Sequence, residues 1–205
     1  MKRLRPGEWP AGSGDSDRWL PSGTMRNGRR PLRISNEKKI HSEERENDMA
    51  IERVRAYFRA LHMEERIRVL EASSATVELA AQALQCAPER IAKTLSFLVQ
   101  DHPVLIVAAG DGRIDNQKYK AQFGTKAKML TPEQAEMLVG HAVGGVCPFA
   151  VNEGVEVYLD VSLKRFETVF PACGSANSAI ELTLAELEGC SGALAWVDVC
   201  KGWAD

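Results

Sequence analysis

The sequence predicts an α/β or α+β domain built around one mixed β-sheet, and three observations predict it. From residue 50 onward, strand-like apolar runs alternate irregularly with short helical patterns. Two of those runs, Ile91–Val99 and Val104–Ala109, flank the turn-forming Asp101-His102-Pro103 and read as a hairpin, which rules out a purely parallel sheet. The composition, 44% hydrophobic and 26% charged over 205 residues, is that of a globular chain with one ordinary domain and some length left over.

Residues 1–48 are expected to be a disordered extension. Gly, Pro, Ser, Arg and Asn dominate there, and Trp9, Trp19, Leu20 and Ile34 stand isolated, so too little apolar surface is available to offset the entropy of ordering. This segment carries a net charge of +3, and residues 49–205 carry −5. One reading starts the biological chain at Met49; the alternative is a basic arm that touches RNA. Residues 49–205 form the expected domain. Their acidic balance argues against non-specific duplex binding and leaves any nucleic-acid contact local, such as a strand end.

The elements follow in order. Ile51, Val54, Tyr57, Phe58 and Leu61 give a helix over about 50–61. Ile67–Leu70 is a short strand. Thr76 caps a helix over Val77–Gln85 whose buried stripe is Leu79, Ala80, Ala83 and Leu84. The hairpin follows, then a Gly110-Asp111-Gly112 turn and a helix over about 116–123 capped by Asp115. Thr131-Pro132 opens another helix that ends before Gly140. Strands are expected at Val155–Asp160, Thr168–Pro171, Ala179–Thr183 and Trp196–Val199, with a short helix at Leu184–Glu188.

Several chemistries are disfavoured by the residues available. Cys86, Cys147, Cys173, Cys190 and Cys200 form no close pair, which argues against a disulfide framework or structural zinc and for a reducing cytoplasm. The basic N-terminus leads into no hydrophobic stretch, and no apolar run approaches the roughly 20 residues that span a bilayer, so neither a secretory signal nor a membrane partner is expected. The histidines His41, His62, His102 and His141 show no paired spacing, and no phosphate-binding glycine motif or serine elbow is present, so no metal and no cofactor is expected. Cys147 as a nucleophile lacks a histidine linked to it by spacing.

Lys93 is the strongest site candidate. Alternation in a strand puts it on one face with Ile91, Leu95, Phe97 and Val99. A lysine there either snorkels to water or reaches a pocket to meet an anion. The second candidate is the loop Gly144-Gly145-Val146-Cys147-Pro148-Phe149, where glycine permits close backbone approach and proline stiffens the chain. Asp115 reads as a helix cap or a brace for the site, and Gly174 opens a small-residue turn, Gly174-Ser175-Ala176-Asn177.

Taken in order, the Lys93-Thr94-Leu95 strand, Ala108-Ala109-Gly110-Asp111-Gly112-Arg113-Ile114-Asp115, the Gly144–Phe149 loop, the strand ending in Asp160 before Ser162-Leu163, Gly174, and Ile180-Glu181-Leu182 resemble the YbaK/EbsC family, relatives of the editing domain inserted in bacterial prolyl-tRNA synthetases. The resemblance covers about residues 50–200. It implies a mixed sheet curled into a partial barrel with helices around it. It also implies an aminoacyl-tRNA deacylase that acts in trans on mischarged tRNA at its 3′ acceptor end, with an aminoacyl-tRNA synthetase as a further partner. By the same resemblance Lys93 is the essential lysine that grips the tRNA end, and the Gly144–Pro148 loop, with Gly145, places the aminoacyl group through its backbone; Phe149, Gly174 and Asp115 are added as further substrate-binding candidates beside them. Two departures bear on pocket width: Ala150 where many relatives have glycine, and Ser175 where many have a second glycine after Gly174. The rival reading is a non-catalytic module that binds tRNA, a nucleotide or an amino acid.

Overall fold

The longest ladder in the computed structural model, which describes residues 49–70 and 76–203, joins Ile91–Val99 (β2) to His102–Ala109 (β3) as an antiparallel hairpin. The expected extension over 1–48 lies outside the described residues. The turn is tighter than Asp101-His102-Pro103. Gln100 and Asp101 alone make it, both at positive φ (47° and 68°), the geometry that matches strand twist in a two-residue hairpin. His102 and Pro103 therefore belong to the strand. Pro103 stands opposite Leu98, whose N–H bonds the Lys128 carbonyl instead, so the missing proline donor takes nothing from the ladder.

Three further short segments precede or follow the hairpin: Ile67–Val69 (β1), Arg113–Ile114 (β4) and Glu156–Asp160 (β5). Later come Thr168–Pro171 (β6), Ser178–Ile180 (β7), Leu182–Thr183 (β8), Ala195–Val197 (β9) and Cys200–Lys201 (β10). Six of them form one curled sheet in the order β8-β6-β2-β3-β5-β9, with β6, β5 and β9 joined in parallel and β8 antiparallel. Antiparallel pairs β1–β7 and β4–β10 flank it. The expected strand over Ala179–Thr183 is split at Glu181, whose carboxylate turns to Arg90 and Thr168.

Both faces of the sheet are covered, which is why β3 is apolar without alternation. Leu105, Val107 and Ala109 face one core with Val54 and Phe58 from the helix over 49–60 (α1). Val104, Ile106 and Ala108 face a second core with Tyr119 from Asn116–Phe123 (α3). A third cluster lies under Val77–Leu84 (α2), where Ala80, Ala81 and Leu84 are buried. The expected stripe there is displaced: Leu79 and Ala83 are exposed, because α2 turns its Val77/Ala80/Ala81/Leu84 face to β2 and β6. Pro132–Val139 (α4) and Leu184–Ser191 (α5) complete five α-helices among the described residues, each opened by a threonine capping box.

Candidate active site

The sheet has a break beside β2. On the edge away from β3, β6 pairs only with Ile91 and Ala92. The chain returns to that edge at 128–130, where Leu130 N–H bonds Ser96 O at 3.0 Å and Leu98 N–H bonds Lys128 O at 2.9 Å. Between these two neighbours opens a cavity of about 360 Å³, walled by α2, by β6 and β7, and by the loop at 143–146.

Lys93 and Gly144 both line this cavity. Lys93 is half-buried, and its Nζ donates to the Gly110 carbonyl at 2.9 Å. Burial lowers its pKa from the usual lysine value, with Arg113 adding to that effect and the buried Cys200 and Asp111 opposing it. One of the three ammonium donors is used among the described residues, so two remain for a ligand. Gly144 adopts φ 94°, open to glycine at little cost, and turns the loop toward the cavity.

Gly145, Pro148, Phe149, Gly174 and Asp115 do not line the cavity. The first four hold the loop's path. A Cβ on Gly145 would stand 2.7 Å from the Gly174 carbonyl group, and one on Gly174 would stand 2.8 Å from Ala50 O, so the two loops and the start of α1 touch backbone to backbone. Pro148 and Phe149 are buried, Phe149 edge-on to Phe58 with ring centroids 4.8 Å apart. The Asp115 carboxylate caps α3 by accepting from Gln117 and Lys118 N–H, and it pairs with Lys201 at 3.0 Å. These bonds, the one to Lys201 foremost, hold its pKa below the usual value.

Cys147 does meet a histidine that spacing left unlinked. His141 Nδ1 accepts the Cys147 N–H at 3.3 Å and lies 3.7 Å from its Sγ. Both are fully buried. Burial pushes the thiol up to about 12 and the imidazole down to about 4, so the pair is neutral and inert, a clasp that closes the loop.

A family model for the aminoacyl-tRNA editing domain matches residues 71–190. The chain belongs to the aminoacyl-tRNA editing domain family. An uncharacterized protein of Bacillus subtilis, YwhH, is 53% identical over 156 residues, covering 76% of this chain and 99% of that protein. The proline–tRNA ligase of Geobacillus sp. (strain WCH70) is 33% identical over 101 residues, which are 49% of this chain and 18% of the ligase. A solved structure of a protein proposed as a trans-editing enzyme for prolyl tRNA synthetase superposes with a TM-score of 0.68 at 29% identity, covering 75% of this chain and 98% of that one.

Some features of this editing domain's site escaped the sequence reading. Thr94, next to Lys93, is one. Phe170 is another: it lines the cavity and carries the Arg90 guanidinium 4.9 Å above its ring. Met129 and Val143, 59% and 62% exposed, form an apolar rim. Only the fold gathers these residues; their spacing carries no signal. Among the described residues no group of three or more His, Cys, Asp or Glu could hold a metal ion, and no helix is long and apolar enough to cross a membrane.

Proposed function

We propose that this editing domain hydrolyses, in trans, the ester that links a wrong amino acid to the 3′ end of tRNA. One observation carries the reading: Lys93 and Gly144, from distant parts of the chain, share one largely apolar cavity. The aminoacyl ester is already activated, so the protein need supply only position and charge stabilisation. Lys93 directs its two free donors at a phosphate or at the developing oxyanion. Gly144 offers main-chain groups to the aminoacyl end, and Gly145, Pro148, Phe149 and Gly174 keep that loop in place. The attacking water is oriented by the ribose hydroxyl of the terminal adenosine. The likeness to proline–tRNA ligase supports a synthetase of that kind as partner, and the cytoplasm as the place of action.

Among the described residues that line the cavity there is no carboxylate and no histidine. This favours, as the second reading, a module that holds the tRNA end without turnover. Charging tRNA with Ala, Cys, Ser, Thr or Pro and measuring ester loss separates them. Wild type is expected to deacylate at least one of these far faster than Lys93→Ala. Background loss by both proteins on every substrate rejects the enzyme, and saturable tRNA binding alone then selects the module.

A further inference from the structure

Thr94 holds three polar groups that find no partner among the described residues. In β2, Ser96 and Leu98 direct their main-chain groups away from β3, to Leu130 and Lys128. Strand geometry repeats every two residues, so Thr94 aims its N–H and C=O at the same edge. That edge is empty at Thr94: pairing with β6 ends at Ala92, and the 128–130 segment begins opposite Ser96. Neither group bonds any described residue. The Thr94 hydroxyl is buried and also lacks a partner. Thr94 lines the cavity beside Lys93. A buried hydroxyl is rarely left unpaired, and with a main-chain N–H and C=O turned to the same open edge, Thr94 marks a place where a ligand can complete the bonding.

The spacing of those groups names the ligand. In a hydrogen-bonded antiparallel pair, one residue on each side exchanges two bonds, N–H to C=O and C=O to N–H. An α-aminoacyl ester has its nitrogen and its carbonyl in the same relation as one residue of a strand. We propose that Thr94 is a main-chain slot for the aminoacyl group. The substrate's α-ammonium donates to the Thr94 carbonyl, and its ester carbonyl accepts from the Thr94 N–H, one residue's worth of strand addition. The slot reads what all amino acids share, leaves the side chain to the apolar walls, and fixes the ester beside the Lys93 ammonium. This inference rests on the deacylase reading for its ligand.

The test uses the full chain and two non-hydrolysable probes: 3′-alanylamino-3′-deoxyadenosine, and its propionylamino analogue, which keeps the methyl side chain and lacks the α-amine. The alanyl probe is expected to move the Thr94 backbone amide resonance downfield and slow its hydrogen exchange, and the propionyl probe to bind at least tenfold more weakly. A Thr94 amide that does not respond, equal binding of the two probes, or no binding of the alanyl probe overturns the slot. A responding Thr94 in a protein that hydrolyses no charged tRNA keeps the slot and rejects the deacylase. Hydrolysis with an unresponsive Thr94 rejects the slot alone.

Discussion

The Lys93 ammonium donates a 2.9 Å hydrogen bond to the Gly110 carbonyl oxygen. That carbonyl is itself fixed by a relay. Gly110 N–H bonds Glu89 O at 3.2 Å, Ala109 N–H bonds Ser162 Oγ at 3.1 Å, and Ser162 N–H bonds the Asp160 carboxylate at 3.0 Å. The buried Asp160 also accepts from Val199 and Cys200 N–H, so one carboxylate ties the lysine's partner to the C-terminal strand.

Lys93→Met is expected to abolish ester hydrolysis and raise stability at pH 7. Burial lowers the folded-state pKa below the ordinary value of 10.5, so the unfolded chain binds the proton more tightly. The charged form therefore opposes folding below the folded pKa, and the penalty fades as pH rises through that pKa toward 10.5. Denaturation midpoints at pH 7 and pH 10 check this: the variant's advantage should shrink at the higher pH. A wild type that is the more stable protein at pH 7 would contradict it.

Gly110→Ala should disturb both fold and site. The added Cβ would stand 2.0 Å from Pro88 O and 2.7 Å from Val77 Cγ1. Backbone cannot yield as a side-chain tip can, and a cost of about 1–3 kcal/mol is expected. The carbonyl under Lys93 moves with it, so deacylation should fall even in the fraction that remains folded. Urea melts and single-turnover rates on the same preparation separate the two effects.

Ala150→Gly should stabilise the protein. Ala150 sits at φ 49°, in the left-handed region, where a Cβ costs on the order of 1 kcal/mol. Arg53 bonds its carbonyl at 2.5 Å and holds the conformation for glycine as well. A higher urea midpoint with an unchanged m value is the expected result.

Asp115→Asn tests whether that residue braces the fold or touches substrate. The carboxylate's lowered pKa means its contribution is present above the unfolded carboxylate pKa and is lost as pH falls through the folded one. The variant should melt below wild type at pH 7 and match it in acid, with kcat/KM within twofold. A large fall in kcat/KM at unchanged stability would place Asp115 at the substrate.

Much of this fold was legible because its signals are local. The β2–β3 hairpin follows from two apolar runs around a turn, α3 from its Asp115 cap, and α4 from Thr131-Pro132 and Gly140. What was illegible depends on long-range partners. The two-residue strands β4 and β10 are too short for any period to register, and they exist only because Cys200 returns to Ile114. The correct face of α2 depends on where β6 passes beneath it. In the site, Lys93 announced itself by being charged in an apolar strand. Thr94 did not, because a threonine in a strand is ordinary until its neighbours on one edge are found to be missing.

The break beside β2 is short, and its length has a consequence. It is bounded at one end by β6, whose pairing stops at Ala92, and at the other by the chain at 128–130, which begins opposite Ser96, so Thr94 is the position left open on that edge among the described residues. An amino acid with a peptide grown from its nitrogen would run into one of those walls. If the proposed slot at Thr94 holds the substrate, peptidyl-tRNA is expected to resist the hydrolysis that frees a lone aminoacyl group.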